Sequence, residues 1–211
     1  MTFPNQLTIL RILLTPVFVA TLFVESLNYR ILAFGIFFVA SLTDWYDGYF
    51  ARKLGSVSAW GKFLDPLADK VLVLSTFIAF WVIGQVELWM VIIIAARDVV
   101  ITALRIYAVR SQKPVVTSSF AKWKTASQMA SIYFILLYLI VKHKMMLAAE
   151  SSNWFQRLES FHVVDKLMYF VTIITATSGV HYLMENRQHF KGMLSSMWRF
   201  LLSVITLFLS I

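Results

Sequence analysis

Apolar blocks separated by short polar breaks run along the whole chain, and their lengths approach the ~20 residues that a helix needs to cross a bilayer. They predict spanning helices over residues 7–27, 31–50, 61–83, 88–109, 125–141 and 163–184. The breaks carry turn and charge signals: Glu25, Asn28 and Arg30; Arg52, Lys53, Gly55, Ser56 and Ser58; Gly84 to Glu87; and the polar stretch Ser111 to Ala121 with Pro114. Residues 142–160 mix Lys142, Lys144, Glu150, Asn153, Arg157 and Glu159 into apolar sequence and read as an extramembrane loop. The last block, Met193 to Ile211, is apolar but holds Arg199 and serines near its start, which leaves open a seventh span or a helix lying on the surface. The expected fold class is therefore an all-α integral membrane protein, a six-transmembrane-helix bundle. One membrane domain occupies 1–190, and 191–211 is an apolar helix whose placement the pattern leaves undetermined.

Composition agrees. Of the 211 residues 59% are hydrophobic and 14% charged, and the mean hydropathy of +0.73 lies outside the range of soluble domains. Long alternating apolar and polar runs are absent, so the fold is helical and not a barrel. There is no cysteine, which removes disulfides, thiolate metal sites and thiol catalysis. The formal net charge of +8 points to anionic lipid headgroups and phosphorylated substrates, not to nucleic acid, because no basic-aromatic domain outside the bilayer is available to hold a strand. Met1 to Gln6 has no basic n-region and no small-residue cleavage site, so the first block is expected to stay as a membrane helix. Lysine and arginine are biased towards the 51–62, 110–124 and 185–192 connections, which places these and the amino terminus in the cytoplasm and the protein in the cytoplasmic (inner) membrane.

Within this apolar background, Asp44 and Asp47 stand three apart near the end of the second predicted helix, and Asp65 and Asp69 four apart near the start of the third. Both spacings put their pair on one helix face, at the same membrane depth on successive helices. A lone Asp in a bilayer costs roughly 2.5 to 3.5 kcal/mol on insertion scales, so four together require cations. Oxygen-only ligands select hard divalent ions, Mg2+ or Mn2+, and four negative charges match two of them. Such a pair suits binding of a diphosphate.

The pattern Asp44-x2-Asp47-Gly48-x2-Ala51-Arg52-x8-Gly61-x3-Asp65-x3-Asp69 closely resembles the signature of the CDP-alcohol phosphatidyltransferases. The resemblance implies that Asp44, Asp47 and Asp65 hold metal and that Asp69 is the base taking a proton from the attacking alcohol, touching metal as well. It also implies a homodimer, and attack of an alcohol on the lipid-side phosphorus of a CDP-linked lipid with CMP leaving. Gly48 and Ala51 then leave room for the nucleotide half, a reading the adjoining acids favour over mere tight helix packing. Arg52 is placed for a ribose or phosphate contact. Gly61 completes the pocket for the CDP-lipid, and Thr8, one turn before Arg11, either holds phosphate or caps its helix.

The wording around the motif, from Pro4-Asn5-Gln6 through Arg97-Asp98 to Lys122-Trp123-Lys124-Thr125, is similar to the bacterial branch of that family that uses CDP-diacylglycerol and glycerol 3-phosphate. An acceptor carrying a phosphate dianion needs fixed cations beside the metals, and Arg97, Arg105, Lys122, Lys124 and Arg11 are the candidates. Interfacial roles remain open for Lys122 and Arg105, and snorkelling for Arg11. The alternatives are a sibling enzyme with another acceptor, notably phosphatidylglycerol giving cardiolipin, and, more distantly, a cation transporter. Against the transporter, the four acids gather near one face and no counterpart hairpin appears in the second half.

Overall fold

The computed structural model describes residues 3–54, 59–110, 120–148 and 153–209, with backbone alone at 3–5, 44–45, 47–54, 59–69, 109–110, 120–122, 147–148, 153–154, 156 and most positions from 196 onward. Among the described residues the chain forms eight helices and no strand: α1 Phe3–Phe23, α2 Leu27–Leu54, α3 Ala59–Val82, α4 Leu88–Arg110, α5 Phe120–Ala148, α6 Asn153–Ser160, α7 Val163–Glu185 and α8 Arg187–Leu209. The apolar blocks thus do become helices, as a backbone without water partners must.

Three of these, within Gln6–Phe23, Trp123–Met146 and Val163–Glu185, are long and apolar enough to cross a membrane. α2 and α3 contribute shorter apolar stretches, Leu27–Thr43 and Lys70–Val82. α4 has the length, but Arg97, Asp98 and Arg105 interrupt its apolar sequence. The protein is therefore an all-α membrane protein with three clear spans, and the six-span expectation goes further than these helices establish.

Several boundaries differ from the sequence pattern: α1 spans Phe3–Phe23 and not 7–27, Asn28 and Arg30 lie in α2 and not in a turn, and residues 187–192, expected as a connection, open α8. α2 continues to Leu54, so Arg52 and Lys53 are helical and not part of a polar connection. The expected loop over 142–160 is corrected too: α5 runs on to Ala148 and α6 occupies Asn153–Ser160. Lys142 and Lys144 end the apolar stretch without ending the helix, because Lys, Met, Leu and Ala are good helix formers and long lysine side chains reach water from a helical backbone. Lys142 Nζ lies 2.9 Å from Glu159 Oε1, tying α6 back to α5. His162, in the left-handed region at φ 47°, then turns the chain into α7.

α1 packs against both α2 and α3, α4 lies between α3 and α7, and α5 bridges α2 and α7. Phe18, Leu22, Phe37, Phe77, Phe80 and Ile94 are among the buried centre of this bundle. Proline is tolerated in α1, which runs unbroken through Pro16, where Thr15 Oγ1 donates to the Arg11 carbonyl at 2.8 Å. The outward faces are apolar as well, with Ile92, Val99, Phe170 and Ile173 exposed, as helices surrounded by lipid require. α8 closes one end, where Met193 and Phe190 pack on Ile101, Leu104 and Tyr107 of α4.

Candidate functional site

α2 carries Asp44, Asp47, Gly48, Ala51 and Arg52 at helical register, and α3 carries Gly61, Asp65 and Asp69. Their side chains, and that of Lys122 in the first turn of α5, lie outside the described residues. The backbone accordingly supports the helical spacing behind the paired acids. As a donor set, carboxylates alone at i, i+3 and i, i+4 fit a hard divalent ion and not zinc.

α1 supplies two polar side chains to the interior it shares with α2 and α3. Thr8 and Arg11 sit one turn apart and are 1% and 0% exposed. Arg11 therefore does not snorkel to water; its guanidinium is held wholly inside the protein. An arginine buried in a membrane helix marks a functional position unless its charge is met within the bundle.

The best described charged group is built around Asp98 on α4. Lys124 Nζ, from the start of α5, donates to both carboxylate oxygens at 2.6 and 2.7 Å. Arg97 Nη1 donates to Oδ1 at 3.0 Å, and Lys70 Nζ from α3 stands 3.5 Å from Oδ2. Three cations from three helices thus share one carboxylate, leaving a formal excess of two positive charges among these four residues. The side chains of Asp98 and Lys124 are each 2% exposed, whereas that of Lys70 is 31% exposed, so the cluster opens on the side of α3. Lys70 immediately follows Asp69 in the chain, which sets this positive group directly beside the acid-bearing helix.

The two arginines of α4 behave differently. Arg97 is mostly buried; its Nη2 donates to Ser178 Oγ on α7 at 3.1 Å, and its buried Nε has no hydrogen-bond partner among the described residues. Arg105, two turns further on, is exposed and does not join the cluster. Of the candidate acceptor cations, Arg97 and Lys124 are therefore brought together, and Arg11 is buried on a different helix.

Asp98 and Lys70 carry no assigned role in the sequence pattern, although a signal was present. An intramembrane acid next to an arginine must find partners, and a lysine one residue after a motif acid is the nearest one on the preceding helix. Ser178 and Gly179 gave no such signal, because they sit inside an apolar block.

A model of the CDP-alcohol phosphatidyltransferase family matches residues 1–155. The CDP-diacylglycerol--glycerol-3-phosphate 3-phosphatidyltransferase of Bacillus subtilis is 34% identical over 200 residues, covering 89% of this chain and 96% of that relative. The protein of the same name from Rickettsia bellii is 38% identical over 134 residues, covering 64% of this chain and 74% of its own. The one from Haemophilus influenzae is 37% identical over 134 residues, covering 61% and 72%.

Proposed function

The chain belongs to the CDP-alcohol phosphatidyltransferase family, and from that premise we propose that it transfers the phosphatidyl group of CDP-diacylglycerol to glycerol 3-phosphate, giving phosphatidylglycerophosphate and CMP. The acceptor hydroxyl oxygen forms a bond to the lipid-side phosphorus, and the bond from that phosphorus to the CMP oxygen breaks. Asp69 accepts the hydroxyl proton. Asp44, Asp47, Asp65 and Asp69 would hold two Mg2+ or Mn2+ ions, which supply charge neutralisation to the diphosphate. Gly48, Ala51, Arg52, Gly61 and Thr8 line the place of the CDP-lipid.

The observation that carries the choice of acceptor is the surplus of positive charge around Asp98. Buried ammonium and guanidinium groups beyond what one carboxylate balances favour a dianion as their remaining partner. Arg97 and Lys124 are the core of this phosphate site and Lys70 its link to Asp69; Lys122 on α5 and Arg105 on α4, the helices of Lys124 and Arg97, and Arg11 on α1 assist it from outside the cluster. A neutral alcohol acceptor has no use for such a group.

The names of the relatives support the same substrates. The bundle completes six crossings by adding α2, α3 and α4 to the three clear spans, over a single membrane domain of residues 1–190. The positive-inside bias puts the acids at the cytoplasmic face of the cytoplasmic membrane, and the protein works there as a homodimer among membrane lipids. Release of CMP from CDP-diacylglycerol, measured in mixed micelles with one acceptor at a time, tests the reading. Turnover with glycerol 3-phosphate is expected, and turnover with phosphatidylglycerol alone would overturn it.

A further inference from the structure

α7 meets α4 at the position where the cation cluster is built. A Cβ placed on Gly179 would stand 2.8 Å from Arg97 Cγ, closer than real Cβ contacts come. Cγ is set by the first side-chain torsion alone, so no adjustment at the tip of the arginine relieves that contact. Arg97 would have to leave its rotamer, which withdraws Nη1 from Asp98 and Nη2 from Ser178 together. Beside the glycine, the Ser178 hydroxyl donates to the Thr175 carbonyl at 3.2 Å. Its proton is thereby directed into its own helix and its lone pair towards Arg97.

From this geometry we propose that Ser178 and Gly179 are positioning residues for the acceptor-phosphate site: α7 forms a seat that holds Arg97 in the one rotamer that keeps its guanidinium on Asp98 beside Lys124. The inference rests on the acceptor reading above and deepens it. It also extends the functional unit past the 155 residues matched by the family model into a helix whose sequence looks like an ordinary span. Free packing of α4 on α7 would be served by any small residue at 179. What distinguishes a seat is that the atom crowded by a new methyl belongs to the phosphate-binding arginine itself, while its next-door neighbour accepts that arginine's hydrogen bond.

The test is steady-state CMP release in mixed micelles, with KM measured separately for glycerol 3-phosphate and for CDP-diacylglycerol. The variants are Gly179→Ala, Ser178→Ala, Ser178→Thr and Arg97→Ala, with Gly35→Ala as control. An added Cβ at Gly35, also within a helix, meets nothing within 4 Å, so this control retains parental constants. Gly179→Ala is expected to raise the acceptor KM about tenfold or more, the scale on which overpacking displaces a side chain. Ser178→Ala is expected to raise it roughly threefold to tenfold, the scale of an ordinary net hydrogen bond, because Arg97 keeps its bond to Asp98. In both, the KM for CDP-diacylglycerol stays within about twofold, and Ser178→Thr, which keeps the hydroxyl, restores the parental acceptor KM. If Arg97→Ala raises the acceptor KM while Gly179→Ala and Ser178→Ala do not, or raise both KM values alike, the seat is refuted and the acceptor site stands. If Arg97→Ala itself leaves the acceptor KM unchanged, the acceptor reading falls and takes the seat with it. Should Gly179→Ala fail to fold, Ser178→Ala, which only removes the hydroxyl, decides alone.

Discussion

Removing the Asp98 carboxylate should expose how the three cations depend on it. In Asp98→Asn, Lys70 turns to water, since its side chain is already 31% exposed, and Arg97 keeps Ser178. Lys124 has neither recourse, because it is 2% exposed and, among the described residues, both of its side-chain hydrogen bonds end on Asp98. Orphaning one partner of a buried ion pair costs about 3–5 kcal/mol. The reverse change, Lys124→Met, leaves Asp98 with Arg97 at 3.0 Å and Lys70 at 3.5 Å, so the expected cost is smaller, about 1–2 kcal/mol. The double variant Asp98→Asn/Lys124→Met removes the stranded ammonium and should recover at least about 2 kcal/mol relative to the sum of the single changes. Thermal unfolding of the purified protein in detergent, followed by the fluorescence of its tryptophans, reads these differences. At roughly 2–4 °C per kcal/mol for a chain of this size, Asp98→Asn lowers Tm by ~6–20 °C. Additivity of the two single changes within about 0.5 kcal/mol would refute the view that Lys124 is held in the bundle by Asp98. Equal costs for the two single variants would refute the asymmetry drawn from Arg97 and Lys70.

Other outcomes follow from the same assignments. Asp69→Asn should abolish turnover while leaving binding of CDP-diacylglycerol measurable by equilibrium titration, whereas Asp44→Asn should weaken divalent-ion binding itself; parental rates in either variant would remove the roles given to them. Arg97→Ala should raise the KM for glycerol 3-phosphate well beyond the effect of Arg105→Ala, because the first sits in the cluster and the second is exposed. Comparable effects from the two would argue against a buried phosphate site. Chelation with EDTA should stop CMP release and re-addition of Mg2+ or Mn2+ restore it, with isothermal titration of the chelated protein reporting ion binding independently of turnover; full activity in EDTA would contradict a carboxylate-held ion.

Much of the architecture was readable because a lipid environment simplifies the code. When every backbone group must be satisfied within its own segment, an apolar block can only become a helix, and its ends fall near the first charges. That rule placed α3, α4 and α7 closely, set α1 about one turn too late, and failed at α5, where Lys142 and Lys144 look like an interface yet extend helical sequence. The helical register of Asp44 with Asp47 and of Asp65 with Asp69 was legible for a different reason: spacing is visible in one dimension. The partners of Asp98 were only half visible. Arg97 is its neighbour in sequence, but the pairing with Lys124, 26 residues away, and with Lys70 on α3 depends on how three helices pack.

The least legible element, α7, shows why a residue's chemistry does not always reveal its role. Gly179 contributes no group that can bind anything, and its effect on the site lies wholly in the space it leaves for Arg97 Cγ. Ser178 is one of several small hydroxyl residues on an apolar helix, where such residues ordinarily bond back to their own carbonyls, as Ser178 also does to Thr175. Only the position of the α4 guanidinium 3.1 Å away separates it from the rest. A cation confined by a neighbouring helix loses less freedom when it binds phosphate than one that must be ordered on arrival. On the proposed reading, a mostly buried arginine held on both sides makes a more effective acceptor contact than the exposed Arg105, and that reading joins the helix confining it to the helices that carry the acids.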